Sequence, residues 1–278
     1  MNRHYSPSQL GMWTRCPRQW QYRYLEGLML PPVGAMALGS AVHRASARHF
    51  NGILACRPGL AHAAFCDAAA EAYDAAAAEV DWTGDGHDRE GEDRGALKDT
   101  CVTIAGRWRA ERCDHLDTPI AVEARLETVF GDRPWSLVTI LDLVTSPSGA
   151  DTTTVTVRDL KTKRKAPAGA IRGTPSIDES VRDQLLLYAE AWCATAATAP
   201  DRRPQLPALA CEYAWPRGTV SVPLAPSRAA IDLVIEDLDA MHAQISAGLF
   251  PRRRQGWHCA EKTCGYWSRC MAAIVTDR

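Results

Sequence analysis

The sequence predicts an α/β protein: a helical N-terminal part, a β-rich middle and a short cysteine-bearing tail. Three observations carry this. The first third is Ala-rich, with helix start signals and no strand pattern; from Ile120 apolar residues recur with period two; and the elements then follow in the order α, βββ, α, ββ, α. With 278 residues, 46% hydrophobic and 23% charged, the chain has material for one large core or two modest ones. The predicted parts are a helical segment 1–115, a core 116–250 and a tail 251–278, packed as one compact unit.

Ser6 and Pro7, with Gln9 three places after the serine, form an N-cap, a first-turn proline and a capping box. The helix they open runs to about Glu26, kinked or divided at Pro17. Gly39–Phe50, Gly59–Val80 and about Ala96–Cys113 follow as helices, with a polar, glycine-bearing loop from Trp82. AVEARLETVF, SLVTILDLV and TTVTVRDLK are three strands, the last two separated by the turn SPSGAD. Asp178 to about Ala197 is a helix, ALACEYAW and TVSVPL form a hairpin across Pro216–Gly218, and Ser227 caps a helix that places Ile231, Val234, Leu238, Met241 and Ile245 on one face.

Charge and composition exclude some classes of function. Thirty-two basic residues balance 33 acidic ones, a net charge of -1, so there is no whole-protein basic field and any nucleic-acid surface is local. No run approaches the ~20 apolar residues of a membrane span, and MNRHYSPSQL lacks a signal-peptide core, which together predict a soluble cytoplasmic protein without membrane partners. In that compartment ten cysteines point to metal ligation rather than disulfides. Only five of the basic residues are Lys, so each Lys is informative.

Asp159 and Lys161, two apart at a strand end in VRDLKTK, share one face of the sheet, while Leu160 points the other way. Asp142 lies between apolar neighbours in ILDLV, where a carboxylate is costly to bury unless paired or bound to a cation. Two carboxylates plus a main-chain carbonyl, that of Leu160, suit a hard cation such as Mg or Mn and leave positions for water and a phosphate oxygen. A lysine beside them orients a nucleophile or stabilises the developing anion, which is the chemistry of phosphodiester hydrolysis. The bland alternative is a surface ion pair with a turn aspartate. Gln184 and Tyr188, at i and i+4, share a helix face, and His43 follows Gly39 near a helix start.

The succession CPRQWQYRY, G-x-x-x-H at Gly39–His43, the aspartate of ILDLV, D-L-K and Q-x-x-x-Y resembles the RecB-type branch of the PD-(D/E)xK nuclease superfamily over nearly the whole chain. This branch includes CRISPR-associated RecB-like exonucleases, the nuclease domains of AddB-type helicase-nucleases and phage exonucleases. The resemblance implies a restriction-endonuclease-like core, a central mixed sheet flanked by helices. It also implies a metal-dependent active site at His43, Asp142, Asp159 and Lys161, with Gln184 and Tyr188 positioning DNA. Glu123 in VEARLE matches a recurrent glutamate of the family, and Thr139 stands where relatives commonly have Gly.

The tail GWHCAEKTCGYWSRC places Cys259, Cys264 and Cys270 within twelve residues, one thiolate short of a four-cysteine site, and Cys16 is the candidate fourth. Zinc and a 4Fe-4S cluster both accept this set, with His258 a further nitrogen for zinc. The resemblance favours the cluster, because relatives use one cysteine before the nuclease core and three after it. Such a cluster clasps the two ends of the chain. The cysteines at 56, 66, 101, 113, 193 and 211 read as buried small apolar residues.

Arg15, Arg18 and Arg23 near Trp13, Trp20 and Tyr22, with KTKRK and Arg252–Arg254, are local patches able to follow phosphates, the aromatics either stacking on unpaired bases or, for at least half of them, anchoring the N-terminal helix in the core. The expected function is a Mg- or Mn-dependent DNA exonuclease acting on single-stranded DNA or free ends in phage or bacterial recombination, replication or repair, alongside a recombination or helicase partner. The alternatives are a catalytically idle DNA-binding or helicase-partner module of the same fold and a CRISPR spacer-processing nuclease.

Overall fold

The computed structural model describes residues 3–82, 93–147, 155–170, 173–196 and 205–275. Most of the loop predicted after Trp82 and of the turn SPSGAD lies outside them. A three-residue strand, β1 (Arg3–Tyr5), precedes the predicted first helix, which divides into α1 (Pro7–Arg15), α2 (Pro17–Trp20) and a π-helical turn, Gln21–Leu25. Ser6 caps α1 by accepting the Gln9 N–H at 3.3 Å. The return half of the box does not form, because the Gln9 side chain donates to the His4 carbonyl and accepts from the Trp20 indole.

Three longer helices follow, α3 (Gly34–Leu54), α4 (His62–Ala77) and α5 (Arg94–Glu111), then the strands β2 (Thr118–Val129), β3 (Trp135–Ser146) and β4 (Thr156–Thr162). Helix α6 (Glu179–Ala196), the hairpin β5 (Ala208–Trp215) and β6 (Gly218–Leu224), and helix α7 (Arg228–Ser246) complete the core; α8 (Trp267–Val275) closes the described chain. The order foreseen is kept; β1, α8 and the π turn are additions.

The six strands of the described residues join one mixed sheet. β2 runs antiparallel along β3, while β1 pairs parallel with Trp135–Leu137 and β4 antiparallel with Leu143–Thr145, at opposite ends of β3. β4 and β5 are parallel, which requires the crossover that α6 supplies. One core lies between the sheet and α1, α6 and α7, with Trp135, Leu185, Tyr213 and Leu238 fully enclosed. The predicted α7 face, Ile231 through Ile245, is buried there. A second core lies among α3, α4, α5 and the sheet residues Leu143, Leu160 and Ala214.

Around Asp142 the alternation of β3 inverts. Trp135, Leu137 and Leu141 face the first core, then Leu143 faces the second and Val144 the first. Opposite, between the pairs Val122–Leu143 and Ala124–Leu141, Glu123 has φ +48, a left-handed conformation strained for a non-glycine residue.

Candidate active site

Pairing between β3 and β4 stops at Leu143–Arg158, and the strands fork. The next residues on each strand are Asp142 and Asp159. Asp142 Oδ2 accepts the Leu160 N–H at 2.8 Å, so the carboxylate takes over a main-chain donor that the ladder has released. A strand residue turns its N–H and C=O to the same edge, so the Leu160 carbonyl also faces the fork. The Leu160 side chain is in the second core, as the two-residue spacing requires.

Asp159 and Lys161 lie on the other face, toward α6. The Lys161 Nζ is 3.0 Å from Asp159 Oδ1 and 2.8 Å from Oδ2. Gln184 joins them, accepting from Lys161 at 3.2 Å and donating to Asp159 Oδ1 at 3.0 Å. Its amide also donates to the Tyr188 hydroxyl at 2.5 Å, one helical turn on. Tyr188 is itself buried, so it reaches the site through Gln184.

His43 on α3 completes the fork, with Nδ1 3.5 Å from Asp142 Oδ2. Burial acts to lower the His43 pKa, but the Asp142 carboxylate outweighs it and the value is raised. Burial likewise acts to raise Asp142, yet His43, Lys161 and the Leu160 N–H hold it below the usual carboxylate range. Asp159 is different: full burial, with the nearby Asp142 charge, pushes its carboxyl up to about 6 against the pull of Lys161. Burial lowers and the Asp159 charge raises Lys161, leaving it firmly an ammonium.

The donor set fits a hard cation. Among the described residues Asp159 Oδ2 is buried and accepts no hydrogen bond, its counterpart being the Lys161 charge. Among the described residues, His43, Glu123 and Asp142 are also the one group of three potential ligands whose donor atoms lie within 4.8 Å of one another. Burial and the Asp142 charge raise the Glu123 pKa. A shallow depression of about 470 Å³, bordered by Gly39, His43, Arg44 and Glu123, opens beside this group.

A pair not singled out in the sequence stands behind the site. Glu212 on β5 is 1% exposed and is held by Arg158 at 2.6 Å, Arg112 at 3.2 Å and Ser221 at 3.0 Å. With His43 and Asp142 it borders a void of about 10 Å³. The signal that marked Asp142, an acid among apolar strand residues, marks Glu212 in ALACEYAW equally.

The four predicted cysteines line one cavity of about 270 Å³ between the N-terminal helices and the tail. Their sulfurs do not gather within 4.8 Å of one another. Burial first, then neighbouring groups including the Cys16 and Cys270 thiols, raises the pKa of Cys264, and burial with the other three thiols raises that of Cys259. Gln19 donates to Cys264 Sγ at 3.1 Å.

Two expectations need correction. Trp13, Trp20 and Tyr22 are buried, at 5%, 1% and 5% exposure, so they anchor the N-terminal helices instead of offering faces to bases. Within KTKRK, Lys163 is taken by Asp178 at 2.7 Å. Of the remaining cysteines, 101, 113, 193 and 211 are buried, but Cys56 is exposed at a left-handed turn (φ +53) and Cys66 is half-buried.

The chain matches the family model of the PD-(D/E)XK nuclease superfamily over residues 4–271. Fourteen chains of solved structures are similar. One, from Eubacterium rectale and provisionally named an exonuclease, superposes with a TM-score of 0.51 over 92% of this chain and 87% of that one, at 13% identity, a likeness of fold alone. No curated protein sequence matches. No described helix is long and apolar enough to cross a membrane.

Proposed function

This chain belongs to the PD-(D/E)XK nuclease superfamily, and on that premise we propose that it is a Mg- or Mn-dependent DNA exonuclease of RecB type. The observation that carries this reading is the ring of hydrogen bonds and ion pairs through Asp159, Lys161 and Gln184 beside the Asp142 fork. A merely structural ion pair at a strand end has no use for a second carboxylate, a histidine and an amide converging on the same edge.

In this reading Asp142, Asp159 and the Leu160 carbonyl hold the cation, with His43 a further ligand and Glu123 a supporting acid. The cation, when bound, neutralises charge on the phosphoryl oxygens and activates water. Lys161 is fixed as an ammonium by Asp159 and Gln184, and it orients the attacking water and offsets the negative charge that develops on phosphorus-bound oxygen. The water oxygen bonds to phosphorus and gives up a proton to solvent, the bond to the leaving sugar oxygen breaks, and that oxygen takes up a proton. Gln184, backed by Tyr188, positions the strand.

Cys16, Cys259, Cys264 and Cys270 hold a 4Fe-4S cluster that clasps the two ends of the chain. The convergence of all four cysteines on one cavity of about 270 Å³ supports a shared site, and the resemblance favours the cluster over zinc. The substrate is single-stranded DNA or DNA with free ends, handled in the cytoplasm during recombination, replication or repair of phage or bacterial DNA, with a recombination or helicase protein as partner.

The test is digestion of end-labelled single- and double-stranded DNA by anaerobically purified protein in Mg, Mn or EDTA, beside Lys161→Ala. The expected result is digestion that needs the metal and is abolished in the variant, with polarity read from the label lost first. If wild-type protein binds every substrate and cuts none, the exonuclease reading fails.

A further inference from the structure

The cysteine cavity holds more than thiols. Three of the side chains that line it each carry a buried nitrogen with no hydrogen-bond partner among the described residues: Arg18 Nε, Arg252 Nε and His258 Nε2. Orphaned buried donors are rare, because each forfeits the hydrogen bond it had to water. Here three occur around one space, contributed by two segments far apart in sequence. Arg18 comes from α2, where its Nη1 is occupied by Gln21 at 2.7 Å while Nε is left free. Arg252 and His258 come from the stretch leading into the tail cysteines.

Local structure places the histidine. Gly256 has φ +106, and a Cβ there would stand 2.9 Å from His258 Cε1 and 3.1 Å from Nδ1. Only glycine allows this turn with the ring folded against it, and the His258 side chain lines the cavity. The residue beside Cys259 therefore faces the space without being one of the four thiols.

The chemistry of the occupant follows from what would satisfy these groups. Two guanidinium N–H donors, and an imidazole nitrogen that donates in its Nε2–H form, call for an acceptor-rich, negatively charged partner within the ring of cysteines. A lone zinc ion offers no acceptor of its own, only the four thiolates around it. Inorganic sulfides and thiolates of an iron-sulfur cluster offer acceptors on every side, and hydrogen bonds to sulfur raise a cluster's reduction potential because they stabilise the more negative, reduced state.

Resting on the cluster assigned above, we propose that Arg18, Arg252 and His258 are positioning residues that donate hydrogen bonds to the cluster sulfurs, and thereby set its reduction potential and its resistance to loss. The clasp between the ends of the chain is on this view redox-tuned rather than inert.

The experiment uses full-length protein purified anaerobically, as wild type, Arg252→Met, Arg252→Lys and His258→Phe. Iron, sulfide and zinc are quantified, the midpoint potential is titrated, and the half-life of the cluster absorbance is followed in a ferrous chelator. The expected results are a potential shifted negative in Arg252→Met and His258→Phe, a smaller shift in Arg252→Lys, which keeps the charge, and chelator half-lives shortened about fivefold per lost donor. Clusters at normal occupancy with wild-type potentials and half-lives in both Arg252→Met and His258→Phe would overturn the donor assignment and leave the cluster standing. Wild-type protein carrying zinc without sulfide would instead overturn the cluster itself. Should Arg252→Met fail to fold, His258→Phe and Arg252→Lys still decide the outcome.

Discussion

The carboxylate of Asp142 accepts the main-chain N–H of Leu160 at 2.8 Å, at the point where β3 and β4 cease to pair. One side chain thus closes the broken end of a β ladder and faces His43 and Glu123 across the fork. The strain at Glu123, about 1–3 kcal/mol for a non-glycine residue held at positive φ, sits directly opposite, where both strands change the face they present to the two cores.

Substitution at Asp142 separates these two duties. Asp142→Asn keeps an oxygen for the Leu160 N–H, so its melting temperature should stay close to wild type while metal-dependent digestion falls by a factor on the order of 10² or more. Asp142→Ala leaves that buried N–H without a partner and should also cost about 1–3 kcal/mol in denaturant melts. Wild-type digestion by the Asn variant would remove Asp142 from the proposed metal site.

Gln184 holds both Asp159 and Lys161, so Gln184→Ala should lower kcat about 10- to 100-fold with a native melting curve. Tyr188→Phe removes only the hydroxyl that Gln184 contacts and should have a smaller effect in the same direction. Steady-state kinetics over a magnesium series read both.

Glu212→Ala should be among the most destabilising single changes in the sheet. Arg158, 12% exposed, loses the carboxylate at 2.6 Å and is left a nearly buried, uncompensated charge, a loss of about 3–5 kcal/mol. Urea unfolding checks this; a loss under about 1 kcal/mol would mean that Asp117, 3.5 Å from Arg158, compensates.

His49 supplies a pH dependence away from the metal acids. It is 1% exposed, packed edge-on against Phe50 and Phe65, and burial, with the Arg109 charge, lowers its pKa below 6.5. The unfolded chain therefore binds this proton first as pH falls, so the stability His49 contributes is complete above pH 6.5 and is lost as pH drops through the depressed native value. Thermal melts from pH 7.5 to 5 should fall less steeply in His49→Phe than in wild type; parallel curves would contradict the assignment.

Much of the fold was legible locally. The Ser6 and Ser227 caps, the break at Pro17, the period-two strands and the α7 stripe all act within a few residues, and each forms where the pattern lies. What escaped were features with non-local causes. β1 is three residues long and exists because Trp135–Leu137 offers it an edge. Gln9 abandons its capping-box role because the Trp20 indole and His4 carbonyl lie within reach. The aromatic residues read as DNA platforms are spent on packing the N-terminal helices, since rings of that size gain more from burial than from exposure.

By itself the sequence determined which side chains share a face: Asp159 with Lys161 two residues apart on a strand, Gln184 with Tyr188 one turn apart on a helix, three cysteines in one short tail. Backbone periodicity dictates these relations wherever the element goes. The tertiary structure alone decided which faces meet. It brought α6 onto the end of β4, His43 of α3 against Asp142, and Cys16, Arg18 and Arg252 around one cavity with the tail. Such meetings are settled by the joint burial of surfaces distant along the chain, a balance that no local pattern encodes.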